Sequence, residues 1–466
     1  MNVAAIVLAA GASSRFGSPK ALALLEGRPI LEHVLDAVRT AGIDEIVVVL
    51  GHAAQEIEDG IDWLSEHRVR NPDPRHLSGS LQIGLAAALE IEPPVKAVVV
   101  VLGDQPRTRP EVIRALISAG RSDEEHPVVI PHYADGGGAN PVLLRSDGFG
   151  LVDEASGDRG LGPILASDPD LVLEVPVPGS NPDIDSPRDL AELAWAEQVR
   201  ANREQVDRVR EVPDGADFYA PVSGLFRVDP DRRDDPVLDA LLALAVPGET
   251  WLDIGAGAGR FALPLARVVR EVIAIEPSTA MLDALREETS THKIKNVRPI
   301  EARWPMDDPP VGDVALMAHV GYDIEAIWPF VRSGEASARR LCVAVLMERQ
   351  PASLADPFWP IVHGEARVSL PALPEFVELL EAAGRSPTVT LTEREPRRFA
   401  SRAELEGFLR RQLWIEDGGE KERRFNAALD ELIVEGPDGG FGLAGQAAPP
   451  IGIVSWVPPT TGGSKE

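Results

Sequence analysis

Short apolar runs alternate with helical patterns along most of the chain. Ala4 to Ala9 meets a Gly/Ser-rich turn and is followed by Ile30, Leu31, Val34, Leu35 and Val38, spaced as one face of a helix. Ile46 to Leu50 and Ala97 to Leu102 are valine-rich runs that each end in glycine, the pattern of strands covered on both faces of a parallel sheet. Val128 to Pro131 and Leu171 to Val175 are shorter strand candidates. The first part therefore predicts an α/β sheet with its chemistry in loops at the strand ends.

A charged helical stretch from about Leu190 to Val212 breaks at Pro213-Asp214-Gly215, and a second α/β series begins beyond it. Thr250 to Ile254, Glu271 to Ile275, Val297 to Ile300, Asp313 to Met317 and Leu341 to Met347 read as five successive strands, with a helix from Phe261 to Val269 after the first. Pro374 to Ala383 and Arg402 to Leu413 read as further helices. Gly436 to Pro449 reads as loop and Pro458 to Glu466 as a frayed tail. The fold class expected is α/β in two domains, each a mainly parallel sheet flanked by helices. Residues 1–195 form the first, 196–215 a helical linker and 216–460 the second.

A length of 466 residues exceeds what one hydrophobic core usually serves, which agrees with two domains. The 74 acidic against 46 basic side chains give a formal charge of -28, which repels a phosphate backbone and argues against nucleic acid as partner. The single cysteine, Cys342, excludes an internal disulfide and a CxxC-type metal site, and its apolar neighbours mark it as a core strand residue. The apolar start has no Lys or Arg ahead of it and is too short to span a bilayer, so a soluble, cytoplasmic protein without membrane contact is expected.

Leu8-Ala9-Ala10-Gly11-Ala12-Ser13-Ser14-Arg15-Phe16-Gly17-Ser18-Pro19-Lys20 joins a strand to a helix with small residues and two cations. Such a loop brings backbone N–H groups and fixed positive charge onto a triphosphate. It is not a Walker A loop, since no GK[ST] follows the glycines. The stretch LAAGASSRFGSPKAL resembles the signature of MobA-like nucleotidyltransferases of the molybdenum cofactor cytidylyltransferase type, and the resemblance runs to about Leu193. Asn71-Pro72 with Ser78-Gly79-Ser80-Leu81 and Gly84, then Gly103-Asp104-Gln105-Pro106, then Asp183-Ile184-Asp185-Ser186-Pro187 follow in the family's order.

The resemblance implies that Leu8, Ala9, Ala10, Gly11, Ala12, Ser13, Ser80 and Gly84 bind nucleotide, with Arg15, Lys20 and Asp104 catalytic. It implies Mg2+ on Asp104, with Asp185 as second ligand, against the alternative that aspartates before Pro187 are helix caps. The implied reaction is attack of a phosphate oxygen on the α-phosphorus of a nucleoside triphosphate, with pyrophosphate leaving. Ala10 in the LAAG signature favours CTP, with molybdopterin as acceptor and a molybdoenzyme or its chaperone as candidate partner. Three positions depart from the family around the acceptor: His76, Ala139-Asn140-Pro141 and Leu161-Gly162. A different phosphorylated acceptor, or a domain that senses its ligand without turnover, therefore stays open.

Trp251-Leu252-Asp253-Ile254-Gly255-Ala256-Gly257-Ala258-Gly259-Arg260 is a second strand and glycine turn. A dinucleotide loop would carry glycine where Arg260 stands. The stretch resembles the DxGxGxG motif of class I methyltransferases, which implies S-adenosylmethionine on Asp253, Gly255, Gly257 and Gly259. Glu276, ending the next strand, matches the family's ribose-binding acid, and Glu301-Ala302 matches the adenine side. His319, Tyr322 and Asp323 follow the fourth strand, where the resemblance places the transferred methyl group. Nothing in the sequence names the methyl acceptor beyond a small molecule.

Overall fold

A computed structural model describes residues 1–13, 15–213, 227–393, 395–436, 439–445 and 447–459. Ser14, Asp214 and Gly215 of the expected linker, and the start of the expected second domain lie outside them, as does most of the expected tail. The chain divides into two compact units, Met1–Leu190 and Ala191–Glu466. Among the described residues no helix is long and apolar enough to cross a membrane.

The first unit contains strands β1 (Val3–Ala9), the short pair β2 (Leu24–Leu25) and β3 (Arg28–Pro29), β4 (Glu45–Leu50), β5 (His67–Arg70), β6 (Ala97–Leu102), β7 (Val128–Tyr133), β8 (Val142–Arg145) and β9 (Val172–Val177). Its main sheet runs β5-β4-β1-β6-β8-β7-β9, with β8 antiparallel to both its neighbours. Both faces are covered. Ala5 and Val7 pack under helix Ile30–Thr40, whereas Ala4, Ile6 and Leu8 pack under helix Leu77–Leu89, so alternate residues of β1 serve two cores. The register sets Leu8 beside Leu102 and Ala9 beside Leu50, which gathers the loops after β1, β4 and β6 at one end of the sheet.

The second unit contains β10 (Thr250–Ile254), β11 (Glu271–Glu276), β12 (Val297–Glu301), β13 (Gly312–Ala318), β14 (Ala338–Met347), β15 (Thr388–Thr392), the pair β16 (Ile433–Glu435) and β17 (Phe441–Leu443), and β18 (Ile451–Trp456). Its main sheet runs β12-β11-β10-β13-β14-β18-β15, parallel through β14, with β18 antiparallel to both β14 and β15. Cys342 is fully buried in β14.

Three expectations change. The charged helix, Pro187–Val209, is no free linker: Trp195 and Val199 enter the core of the second unit, and the Trp195 indole donates to the Ile324 carbonyl at 2.9 Å. Burial of two large side chains outweighs the helix's charged surface. The stretch expected to be helical from Phe261 to Val269 keeps only a four-residue helix, Ala262–Leu265. The supposed loop from Gly436 includes β17, which pairs with β16.

Two candidate active sites at the strand ends

In the first unit, the β1 loop turns through Ser13, whose φ of 49° is left-handed and whose hydroxyl accepts the Lys20 N–H at 2.9 Å. That bond fixes the start of the Lys20 side chain. Lys20 Nζ then reaches Asp104 Oδ2 at 2.6 Å and Asp185 Oδ1 at 3.5 Å. Asp104 follows β6, and its carbonyl accepts the Ile184 N–H at 3.1 Å, which ties the two aspartate loops together. Two carboxylates from loops 81 positions apart thus converge on one cation, an all-oxygen set that suits a hard divalent ion.

The alternative of Asp185 as a helix cap is answered by its neighbours. Asp189 accepts the backbone N–H groups of Asp185 and Ser186 at 3.1 and 2.9 Å, while Ser186 Oγ accepts the Asp189 N–H at 3.3 Å. Capping therefore falls to Ser186 and Asp189, and the Asp185 carboxylate faces Lys20. Sequence reasoning underrated Gln105, which is buried and donates to Asp183 Oδ1 at 2.7 Å, while Asn181 donates to Gln105 Oε1 at 3.0 Å. Desolvation, then the charges of Asp104 and Asp185, push the Asp183 carboxyl above its ordinary range.

Gly11, Ala12 and Ser13 line a cavity of about 380 Å³ with Gly17, Ser18, Pro19, His52, Ala53 and Glu56. Gly11 and Ala12 are exposed there, and Arg15 stands exposed in the turn beyond. His52, Ala53 and Glu56 carry no motif. They arrive because β4 lies beside β1, and the His52 N–H donates to the Ala10 carbonyl at 3.3 Å. A larger cavity, about 670 Å³, lies at the opposite strand ends around Asn2, Asp44 and Arg114 and holds none of the motif residues.

Other nucleotide-binding candidates take structural places. Leu8 is buried in β1, and its carbonyl accepts the Gly103 N–H. Ala9 and the buried Ala10 end the strand. A Cβ on Gly84 would come within 2.4 Å of Ile6 Cγ2, so this glycine lets helix Leu77–Leu89 lie close on the sheet. Ser80 is buried and accepts the Asn71 side-chain amide at 2.9 Å, fixing the loop after β5. His76 pairs with Asp158 at 3.1 Å on the surface.

In the second unit, the turn after β10 is closed by N–H groups of Gly255 and Ala256 donating to the Ile275 carbonyl at 2.8 and 3.2 Å. A Cβ on Gly255 would meet Val320 at 2.3 Å and one on Gly259 would meet Leu285 at 2.4 Å, whereas above Gly257 the space is open. The outer glycines serve packing, and the middle one leaves backbone accessible to a ligand. Glu276 is buried, and its two oxygens accept N–H groups from Gly257 and Ser278, each at 2.9 Å. Asp253 is buried beneath the turn. Desolvation, then the nearby Glu276 charge, push its carboxyl up to about 7, against a backbone bond from Ala262.

Glu301 is exposed and accepts the Thr279 hydroxyl at 2.9 Å, and the Ala302 N–H donates to the Glu276 carbonyl at 3.3 Å. The adenine-side candidates therefore sit beside the ribose-side acid. His319 leaves β13 with a φ of 55°, its N–H on the Val345 carbonyl at 2.8 Å and its ring 6.4 Å from Phe261. Tyr322 is buried, its hydroxyl accepting the Met347 N–H at 2.8 Å, and Asp323 is exposed.

The chain thus carries two α/β units, one with converging carboxylates beside a cationic loop, the other with a glycine turn over a buried acid. Residues 5–172 match a family model described as MobA-like NTP transferase domain, and residues 252–328 match one described as Methyltransferase domain. The chain joins a nucleotidyltransferase domain to a methyltransferase domain, both of enzyme families. It is 32% identical over 155 residues to the bifunctional protein GlmU of Burkholderia orbicola, covering 32% of each chain, and 38% identical over 120 residues to that of Desulfitobacterium hafniense, covering 24% of each. The chain thus spans about a third or less of the length of these curated relatives. A solved structure, Rv0371c from Mycobacterium tuberculosis, is 30% identical, with 41% of this chain and 97% of that one covered and a TM-score of 0.37.

Proposed function

We propose that the chain is a bifunctional enzyme that transfers a nucleotidyl group at its first unit and a methyl group at its second. At the first unit the reading is Mg2+-dependent transfer from CTP to molybdopterin with release of pyrophosphate. The observation that carries it is the convergence of Asp104 and Asp185 on Lys20 at the mouth of the signature loop. Mg2+, held by those two carboxylates, would neutralise triphosphate charge. Gly11, Ala12 and Ser13 present backbone to the triphosphate, Arg15 and Lys20 stabilise the charge that develops toward pyrophosphate, and His52 and Glu56 face the rest of the nucleotide. The acceptor phosphate is already anionic, so alignment replaces a general base.

At the second unit, S-adenosylmethionine would supply an electrophilic methyl group to a small-molecule acceptor. Glu276 accepts the backbone N–H groups of Gly257 and Ser278 at the end of β11, and its carboxylate would also accept the ribose hydroxyls. Asp253 steadies the glycine turn, Glu301 and Ala302 border adenine, and His319 stands at the acceptor side.

A second reading keeps the nucleotidyl chemistry and changes the acceptor, favoured by the His76–Asp158 pair at a position where the resemblance expects glycine. The test is to incubate the full chain with Mg2+, molybdopterin and each of CTP, GTP, ATP and UTP, and to identify products by mass spectrometry. Cytidylylated molybdopterin supports the reading. Pyrophosphate without a molybdopterin adduct, formed only when another phosphorylated compound is supplied, supports the second.

A further inference from the structure

We propose that Lys20 is a built-in counter-ion for the metal-binding carboxylates, which a divalent cation must displace and which then turns to the triphosphate. The proposal rests on the nucleotidyltransferase reading above and deepens it. Lys20 Nζ lies 2.6 Å from Asp104 and 3.5 Å from Asp185, the position between two carboxylates that a divalent cation would take. The Lys20 side chain is more sheltered than that of either partner, 16% exposed against 29% for Asp104 and 59% for Asp185. Without a cation between them, the two carboxylates that converge here would repel one another.

The backbone of Lys20 does not need to move for the exchange. Its N–H is held by Ser13 Oγ, and the Leu22 and Ala23 N–H groups close the short turn Lys20–Leu22 on Pro19 and Lys20. A compact ammonium on a flexible four-carbon stem can leave the carboxylates while its anchor stays fixed. Pro19, next to it, already lines the cavity that the signature loop forms. Lysine and metal therefore compete for the same oxygens, and a nucleotide that draws Lys20 onto its phosphates makes room for the metal. Metal and triphosphate then bind with positive coupling, reciprocal by linkage.

The experiment is titration of Mn2+ alone into the full chain, read by the electron paramagnetic resonance signal of free Mn2+. Lys20→Met and Lys20→Gln should each bind Mn2+ roughly tenfold more tightly than wild type, because a competing unit charge within about 4 Å is removed. Lys20→Arg, which keeps the charge, should not tighten. Equal or weaker binding by both neutral variants overturns the proposal. Asp104→Asn in the Lys20→Met background separates the two ideas: if it abolishes the Mn2+ site while Lys20→Met alone gave no tightening, the metal reading stands and the counter-ion role falls. If Asp104→Asn leaves Mn2+ binding unchanged, both fall.

Discussion

The backbone N–H of Gly257 donates to Glu276 across 2.9 Å, linking the middle of the methyltransferase glycine turn to the acid that ends the next strand. With Ser278 donating to the other oxygen, both carboxylate oxygens already face donors. Glu276→Gln would turn an NH2 group onto one of those donors and lose a charged acceptor. Loss of charge-assisted hydrogen bonds of about 1.5–3 kcal/mol predicts S-adenosylmethionine affinity lowered roughly 10- to 100-fold, measured by calorimetry. Affinity within about twofold of wild type would remove Glu276 from the ribose site.

Asp253 makes the stability of the second unit depend on pH. Burial pushes its carboxyl up to about 7, above the ordinary 3.8 that it regains on unfolding, so between those values the folded state holds the proton more tightly than the unfolded one. Its contribution is favourable at low pH and is lost as pH rises toward 7 and beyond. The difference corresponds to an upper bound of about 4 kcal/mol. The unfolding temperature of this unit should fall between about pH 4 and pH 7 and level off above, and Asp253→Asn should flatten the profile. An equal fall in the variant would assign the pH dependence elsewhere.

Asp189 is a positioning residue for Asp185, since its carboxylate holds the N–H groups of Asp185 and Ser186. Asp189→Ala removes a helix cap, a change worth about 0.5–2 kcal/mol. Mn2+ affinity should fall about three- to tenfold, with nucleotide affinity in the absence of metal unchanged. A parallel loss of both would indicate a general loosening of the fold.

Gly84→Ala separates packing from nucleotide contact. The new Cβ would press on Ile6 at 2.4 Å and Val49 at 3.0 Å. Overpacking predicts destabilisation of about 1–3 kcal/mol, partly offset by alanine's helix preference. CTP binding at a temperature well below unfolding should be unchanged. Selective loss of CTP binding with full stability would return Gly84 to the nucleotide site.

The valine-rich run Ala97 to Leu102 coincides with β6 because burial on both faces selects continuous apolar residues, and the fully buried Thr250 to Ile254 coincides with β10. The loops that carry Lys20 and Asp104 were legible because glycine and charge follow apolar runs, and Glu276 because an acid closes one. The edge strand β5 and the antiparallel β18 were not legible, although the edge strands β9 and β12 were. β5, with exposed His67, Arg68 and Arg70, shows no apolar run, and β18 lies next to Gly/Pro-rich sequence that masks a buried strand. His52 and Glu56 reach the cavity through strand adjacency alone, a relation between distant segments that no local pattern encodes. The spacing of Ser186 and Asp189, by contrast, is a capping signal that the sequence did contain.

The most direct test of nucleotidyl transfer at the Lys20–Asp104–Asp185 cluster is the rate of pyrophosphate release by the full chain with Mg2+, CTP and molybdopterin, beside Asp104→Ala. CTP-selective release is expected in the wild type and should fall at least about a hundredfold in the variant, a loss of ~2.7 kcal/mol or more of transition-state stabilisation. Release that is undiminished in Asp104→Ala, or absent from the wild type with every triphosphate and phosphorylated acceptor tried, would contradict it.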